Sequence, residues 1–363
     1  MSTLYLHIGM PKTGTTSLQH FLTDNRYRLR RQDLEVPQFG LDQKGAGPGR
    51  NAHWMTAYYD DEKNCNDCYT LLGKRLKKYG RVVITDEGIY NDLFDKPDMI
   101  SRLKKKTDEF GADLKIIMYV RRQDNYIYSA WSQRAKMRYT ETLDDLLGRE
   151  SYYKRMDYLD ILNRISNIVG DENIIVRVYE SGKFEGNGNS IFSDFLKIFN
   201  IEFTDEFELP EKEFNTSLHD VVLETKRRLN EYPEFRAMWN FNDILRYAEQ
   251  CVKEEGKLKN RPSFSTEKRQ EFMSRFDAQN AEIAKRFMHY PEGQPLFDEP
   301  IKGIDGESDE FTEEEIFYVM TRIILGQQIK YKEEYDLKLY HQQHDYMFRL
   351  KRKIGNITAR FKK

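Results

Sequence analysis

The sequence predicts an α/β fold: a parallel β-sheet flanked by helices on both faces, followed by a helical C-terminal extension. Over the first half of the chain, short apolar runs alternate with segments of helical periodicity. This alternation favours a parallel sheet, because parallel strands need long crossover connections that are usually helices. Beyond about residue 214, the pattern is mostly helical and heavily charged, which indicates the extension.

Four apolar runs are predicted strands, at residues 4–9, 81–85, 114–120 and 173–179. In parallel sheets, ligands bind outside the carboxyl ends of the strands. We therefore expect one site to be built by the loops that follow Ile8, Thr85, Val120 and Val178.

Helical periodicity predicts connecting helices at residues 17–29, 68–79, 97–110, 125–137 and 152–169. Residues 36–53 are rich in glycine, proline and polar residues, which predicts a long surface loop. A second stretch rich in proline and glycine, residues 290–306, precedes a final pair of helices. We accordingly divide the chain into a domain of residues 1–295 and a linker with a packed helical extension, residues 296–363.

The net charge of −2 and pI near 6.4 give no global basic signature, so we predict no nucleic-acid partner. No apolar run approaches the roughly 20 residues that span a bilayer. The first strand begins by Leu4 and leaves no room for a secretory signal, which predicts a cytoplasmic protein. The basic stretch 349–363 is interpreted as a solvated helix end, with contact to a membrane surface or polyanion as the alternative.

Cys65 and Cys68 form a C-x-x-C pair in a polar stretch that we place before a predicted helix. A structural zinc site needs about four ligands, and the third cysteine, Cys251, has no companion ligand in its sequence neighbourhood. We interpret the pair as two incidental thiols.

Residues 9–17, Gly-Met-Pro-Lys-Thr-Gly-Thr-Thr-Ser, have the Gly-x-x-x-x-Gly spacing of a phosphate-binding loop. Successive backbone N–H groups and the start of the next helix would face an anion. A Walker A loop has lysine directly after its second glycine, whereas this chain has Thr15 there and Lys12 earlier. The spacing therefore predicts a phosphate cradle without the metal–triphosphate machinery of kinases.

A second phosphate-binding pattern follows the third predicted strand. Arg121 stands at the strand end and Ser129 lies eight residues on, within the following helix. A guanidinium and a hydroxyl at this spacing can hold one phosphate, with the arginine giving two parallel hydrogen bonds.

Together, Pro-Lys-x-Gly-Thr-Thr-Ser after one strand and Arg-x7-Ser after a later one resemble the sulfotransferases that use 3′-phosphoadenosine 5′-phosphosulfate (PAPS). The resemblance extends over roughly residues 3–295 and is to bacterial, P-loop-like enzymes of the carbohydrate type. It implies a P-loop NTPase-like sulfotransferase fold. It also implies in-line transfer of a sulfuryl group from PAPS, as co-substrate, to a hydroxyl of a glycan or glycolipid, with no metal required.

By this resemblance, Lys12 stabilises the leaving phosphate, Arg121 and Ser129 hold the 3′-phosphate, and Tyr179 approaches the adenine. The nucleotide-binding residues it implies are Pro11, Lys12, Thr13, Gly14, Thr15, Thr16, Ser17, Arg121, Ser129 and Tyr179.

The acceptor hydroxyl needs a general base. The second predicted strand runs into Thr85-Asp86-Glu87-Gly88, where similar bacterial enzymes have Ser-Ser-Glu-Gly. Glu87 is the first choice as base, with helix capping by the acidic pair as the structural alternative. Asp86, where this chain departs from that pattern, is the second candidate acid, and His53, beside Trp54, is the rival base or an acceptor contact.

Two other functions remain open at this point: a metal-dependent P-loop kinase, and a non-enzymatic scaffold that retains a nucleotide fold. Thr15 in place of the Walker lysine disfavours the kinase. The presence of Lys12, Arg121, Ser129 and Glu87 disfavours the scaffold. A small-molecule alcohol is the alternative acceptor, and the sequence indicates no oligomeric state.

Overall fold

The computed structural model describes residues 1–39, 49–210, 218–237, 241–258, 263–301 and 311–333, together with residues 336 and 338. The basic stretch 349–363 and residues 40–48 of the glycine-rich stretch lie outside this range, so the predictions made for them stay predictions.

The fold is organised around a five-stranded sheet in the order β2-β3-β1-β4-β5, with every pairing parallel. The strands are β1 Ser2–Ile8, β2 Leu34–Glu35, β3 Arg81–Asp86, β4 Ala112–Val120 and β5 Ile174–Val178. The predicted α/β class and parallel sheet are confirmed. The four predicted strands are β1, β3, β4 and β5, whereas β2 escaped prediction because it contains only two residues.

Sixteen helices accompany the sheet in the described part of the chain, and residues 313–333 are also helical. They are α1 Thr15–Asp24, α2 Arg26–Arg31, α3 Trp54–Ala57, α4 Glu62–Lys78, α5 Ile89–Asp92, α6 Met99–Glu109, α7 Gln123–Met137, α8 Leu143–Leu147, α9 Glu150–Met156, α10 Tyr158–Val169, α11 Ile191–Lys197, α12 Asp220–Leu229, α13 Pro233–Ala237, α14 Phe241–Glu255, α15 Thr266–Ser274 and α16 Asp277–Arg286. The described residues from Asp220 onward are mostly helical, as predicted.

Helices cover both faces of the sheet, and as a result side chains on both faces of β1 are buried. On one face, Leu4, Leu6 and Ile8 are inaccessible to solvent. On the other face, apolar residues of α1, α2 and α11 form one cluster with inward-facing residues of β3 and β4. Burial on both sides explains why these strands read as continuous apolar runs rather than as an alternating pattern.

Two predicted helices are each divided in two by a polar residue. The segment 17–29 breaks at Asn25, whose side-chain amide donates to the carbonyl oxygens of Phe21 and Glu208. The segment 152–169 breaks at Asp157, whose carboxylate accepts from the backbone N–H of Asp160 and so caps α10.

The position predicted for the C-x-x-C pair was wrong. Helix α4 begins at Glu62 because Asp61 caps it, so both thiols lie inside the helix instead of before it. Cys65 and Cys68 are buried, and burial raises the pKa of the Cys65 thiol. A raised pKa reduces the reactive thiolate fraction, which agrees with a packing role.

By its internal contacts, the chain divides into two compact units. One comprises Met1–Trp131, Leu143–Thr216 and Phe264–Asp305, and the other comprises Ser132–Thr142, Ser217–Ser263 and Gly306–Lys363. The boundary proposed at residue 295 stays a prediction. None of the helices among the described residues has the length and apolar character needed to cross a membrane.

His7 is a polar residue within the core of β1. Its Nδ1 lies 2.8 Å from the Thr85 hydroxyl, and its buried Nε2 has no hydrogen-bond partner among the described residues. Burial lowers the pKa of His7 from 6.5 to about 3. The folded protein therefore binds fewer protons at this site than the unfolded chain between those two pH values, so stability falls as the pH is lowered through this window.

Replacing His7 with glutamine should flatten this acid sensitivity. In the wild type, His7 should remove about 1.4 kcal/mol of unfolding free energy for each pH unit between about 6.5 and 3. Urea unfolding at a series of pH values would measure the slope. Tyr5→Phe, on the same face of β1, is the control and should keep the wild-type slope. Parallel curves for His7→Gln and wild type would refute the prediction.

Candidate functional site

The loop between β1 and α1 lies at the carboxyl edge of the sheet and is folded by its own threonines. The hydroxyl of Thr13 donates to the carbonyl oxygen of Met10 at 2.7 Å, and that of Thr15 donates to the same oxygen at 3.3 Å. Lys12 and Gly14 adopt left-handed backbone conformations, with φ of 71° and 70°. Two left-handed residues this close together turn the chain sharply into α1.

This turn leaves a row of backbone donors without protein acceptors. Within the described part of the chain, the amides of residues 13–17 donate no hydrogen bond to the protein. They include the first turn of α1, where no acceptor exists within the helix. A row of such amides at a helix start is suited to bind an anion, as the sequence predicted.

Arg121 is placed against this loop by β4. Its Nη1 donates to the carbonyl oxygen of Lys12 at 2.7 Å, and its own carbonyl oxygen accepts from the buried hydroxyl of Tyr158 at 2.8 Å. Burial lowers the pKa of the Arg121 guanidinium. Among the described residues, no carboxylate lies within 4 Å of it. The site therefore holds a half-buried cation that forms no ion pair with any carboxylate of the described residues.

Tyr179 closes the other side of the loop. Its backbone N–H donates to the carbonyl oxygen of Val120 at 2.8 Å, which extends the β4–β5 pairing by one step. Its ring centroid lies 5.7 Å from the Arg121 guanidinium carbon. A Cβ at Gly14 would lie 3.0 Å from this ring and 3.2 Å from its hydroxyl. The structure thus brings Lys12, Gly14, Arg121 and Tyr179 together, as predicted from the sequence.

The other predicted binding residues occupy less constrained positions. Pro11, in the loop, and Ser17, in the first turn of α1, are half-buried. Thr16 is exposed. Ser129 lies on α7, half-buried, and its side chain hydrogen-bonds to no residue in the described ranges. No direct contact between Ser129 and Arg121 is present, so their shared ligand stays a prediction.

The start of α7 is fixed by a buried ion network that sequence analysis missed. Asp124 is inaccessible to solvent and forms ion pairs with Arg122 at 2.7 Å and Arg269 at 2.8 Å. Burial raises the pKa of Asp124, but hydrogen bonds from Arg122 and the neighbouring charges outweigh burial and hold the pKa below its ordinary value. This network fixes the backbone that follows Arg121.

The two acidic residues after β3 differ in their surroundings. Asp86 is inaccessible to solvent, and its carboxylate receives two hydrogen bonds from Arg50, at 2.9 and 3.1 Å. Burial raises the pKa of Asp86, but hydrogen bonds from His53 and Arg50 outweigh it and hold the pKa below its ordinary value. Glu87 is half-buried and accepts from the hydroxyl of Thr16 at 3.3 Å.

His53 is held beside Asp86 by an anchor that the sequence did not reveal. The Asn51 side chain accepts from the backbone N–H of Thr85 at 2.7 Å and donates to the carbonyl oxygen of Val83 at 3.3 Å. It therefore pairs with β3 just beyond the point where β2 ends. The only sequence signal was the position of Arg50 and Asn51 next to His53, which by itself is not distinctive.

A segment near residue 299 is also fastened to this edge. The buried carboxylate of Glu180 accepts from the backbone N–H groups of Asp298 at 3.0 Å and Glu299 at 2.6 Å. Ser181 donates to the Glu299 carboxylate at 3.0 Å, and Arg122 donates to the Glu299 carbonyl oxygen. Residues 298 and 299, within the predicted linker, are therefore hydrogen-bonded to Glu180 and lie next to Tyr179.

Comparisons with known proteins give weak similarity. No family model matches the chain. An uncharacterised protein of Archaeoglobus fulgidus is 25% identical over 177 residues, which are 48% of this chain and 45% of that protein. The chain thus spans about half the length of this curated relative. The crystal structure of a sulfotransferase from Alicyclobacillus acidocaldarius is 17% identical, with a TM-score of 0.37, and covers 63% of this chain and 94% of that chain. At this TM-score, function has to be derived from the site itself.

The contact between Gly14 and Tyr179 predicts a difference between two glycine substitutions. Gly14→Ala and Gly111→Ala each place a side chain in the left-handed region, at a cost of about 1–2 kcal/mol. A Cβ at Gly111 meets no atom within 4 Å, whereas one at Gly14 crowds Tyr179. Gly14→Ala should therefore lower the unfolding free energy by about 1 kcal/mol more than Gly111→Ala in urea unfolding. Equal losses of unfolding free energy in the two variants would contradict the prediction and show that the Tyr179 side chain moves away at no cost.

Proposed function

We propose that this protein is a sulfotransferase that moves a sulfuryl group from PAPS to an acceptor hydroxyl. The observation that carries the proposal is the pairing of the amide donors at residues 13–17, which bind no described residue, with Arg121, a half-buried cation that forms no ion pair with any described carboxylate. Such a pairing suits a ligand with more than one anionic group. The resemblance of the two sequence motifs to PAPS-dependent sulfotransferases supports the same ligand.

The residues present fit the two ends of this nucleotide. The amide row would hold the 5′-phosphosulfate, and Arg121 with Ser129 would hold the 3′-phosphate. The Tyr179 ring lies against Gly14 and near Arg121, and it would offer a flat apolar surface for the adenine.

In the proposed reaction, the acceptor oxygen forms a bond to sulfur as the bond from sulfur to the bridging phosphate oxygen breaks. The bridging oxygen keeps the electron pair, and the acceptor proton passes to a base. Lys12 would stabilise the charge that develops on the bridging oxygen, an electrostatic contribution that is stronger in the transition state than in the ground state.

For the acceptor, we propose a hydroxyl of a glycan or glycolipid, with a small-molecule alcohol as the alternative. The resemblance to bacterial carbohydrate-type enzymes supports the glycan. Incubation with PAPS labelled in its sulfuryl group and a panel of both acceptor classes would identify the product that carries the label.

Two substitutions test the assignment of the nucleotide site. Lys12→Ala should lower the transfer rate by about 10²–10³-fold, because one transition-state donor is lost. Arg121→Ala should weaken binding of adenosine 3′,5′-bisphosphate by about 10- to 100-fold, because a charged hydrogen bond is lost. Transfer of labelled sulfate and calorimetry would measure the two effects.

Matched controls come from α6, where Lys104 and Arg102 form exposed ion pairs with Asp108 and Asp98. Alanine at either position should leave transfer and binding unchanged. Wild-type behaviour of both Lys12→Ala and Arg121→Ala would refute the proposal. Thermal stabilisation by ATP with Mg²⁺, but not by adenosine 3′,5′-bisphosphate, would favour the kinase instead.

A further inference from the structure

A second set of ionisable side chains adjoins the loop that carries the amide row. It comprises Arg50, His53 and Asp86. The backbone carbonyl oxygen of Asp86 accepts from the N–H of Gly9 at 2.9 Å, so this set adjoins the first residue of the loop. His53 Nδ1 lies 3.2 Å from Asp86 Oδ2. The set is therefore an imidazole and a carboxylate in contact at the mouth of the proposed site.

The surroundings of His53 Nδ1 determine which ring nitrogen carries the proton. Arg50 Nη2 lies 3.1 Å from Nδ1 and can only donate, so this contact would require an unprotonated Nδ1. Asp86 can only accept while it is ionised, so its contact requires an Nδ1–H group. The two contacts therefore favour opposite tautomers.

Two further observations favour the proton on Nδ1. The Arg50 guanidinium already donates twice to the Asp86 carboxylate, so it needs no acceptor on the imidazole. The Thr56 hydroxyl donates to the carbonyl oxygen of His53 at 3.0 Å and lies 3.3 Å from Nδ1. Because its hydrogen is used, this hydroxyl presents only a lone pair to Nδ1. Asp86 and Thr56 are therefore both acceptors for one Nδ1–H group.

We propose that Asp86 and Arg50 are positioning residues that hold His53 with its proton on Nδ1, so that Nε2 is the base for the acceptor hydroxyl. This inference rests on the proposed function. Nε2 takes the acceptor proton as the new oxygen–sulfur bond forms and the bridging oxygen leaves with its electron pair. Arg50 fixes the carboxylate through two hydrogen bonds, and the carboxylate fixes the ring.

The geometry gives His53 an open position for this role. Its side chain is 15% exposed, and Nε2 makes no hydrogen bond with any residue that the structure describes. The carboxylate of Glu87 instead accepts from Thr16, a residue of the amide row. A carboxylate in that position would lie next to the negatively charged donor and be repelled by it, whereas a neutral imidazole would not.

Other charged groups near His53 lie in the segment from the end of β3 to Lys96. Asp86 and Glu87 lie at the end of β3, and Asp92 lies on α5, where it pairs with Lys96 at 3.3 Å. Lys96 also donates to the carbonyl oxygen of Thr56 at 3.0 Å. Asp92 and Glu87 act on Arg50 only through their charges. Among these groups, Asp86 alone is an acidic contact of the imidazole.

The tautomer of His53 is measurable without any substrate. Protein labelled with ¹⁵N at its seven histidines, studied by NMR at alkaline pH where imidazoles are neutral, reports which ring nitrogen carries hydrogen. Comparison with His53→Gln assigns the signal. The inference predicts Nδ1–H in the wild type. An Nε2–H tautomer would overturn it, whatever the activity of the enzyme.

Kinetics test the role of the carboxylate. His53→Gln should lower kcat by about 10²–10⁴-fold, the usual contribution of a general base. Asp86→Asn should cause a similar loss, because the asparagine oxygen would pair with Arg50 and its NH₂ group would face Nδ1, which forces the proton onto Nε2. The double variant should lose no more than His53→Gln alone, because both changes remove the same base.

Asp92→Asn is the matched control: it removes a nearby carboxylate that does not contact the imidazole, and it should keep the wild-type kcat. Adenosine 3′,5′-bisphosphate binding would show that each variant is folded, and the wild-type tautomer and His53→Gln remain decisive if Asp86→Asn does not fold. Near-normal kcat in His53→Gln, or a further large loss in the double variant, would overturn the inference. No transfer by the wild type to any acceptor would instead overturn the proposed function.

Discussion

The candidate site depends on the close approach of Gly9 to the end of β3. The N–H of Gly9 donates to the carbonyl oxygen of Asp86 at 2.9 Å, which continues the β1–β3 pairing one step past the strand. A Cβ at Gly9 would lie 2.5 Å from the Cα of Glu87, so only glycine allows this contact. The contact places the loop, both acidic residues and the start of α1 at one edge of the sheet.

The same edge contains two kinds of arginine. Arg50 is paired with Asp86, and Arg122 and Arg269 both pair with Asp124, so each of these arginines contacts a carboxylate. Arg121 is half-buried, as Arg50 is, but it meets a backbone carbonyl oxygen and an aromatic ring and pairs with no carboxylate among the described residues. Burying a charge without a counter-ion is unfavourable, and a bound anion would remove that cost. This contrast supports the proposed role of Arg121 as an anion-binding residue.

The sequence predicted the parts of the site that are encoded locally. The loop, Lys12, Gly14, Arg121 and Tyr179 follow strand ends directly, so the order of strands was enough to bring them together. The missed parts depend on pairings between distant residues. Asn51 reaches across 34 residues to Thr85, and Glu180 across 119 residues to Glu299. No local pattern marks such partners, and a two-residue strand such as β2 has too few residues to show periodicity.

The hydrogen bonds that Glu180 accepts from the backbone of Asp298 and Glu299 affect the order in which the protein folds during synthesis. The sheet and the loop are complete in sequence by the end of β5, more than a hundred residues before those two amides emerge from the ribosome. Until then, the Glu180 carboxylate lacks the donors that compensate its burial, so the edge beside Tyr179 stays incompletely packed. A nascent chain can therefore build its sheet early, yet completes the edge beside Tyr179 only near the end of translation.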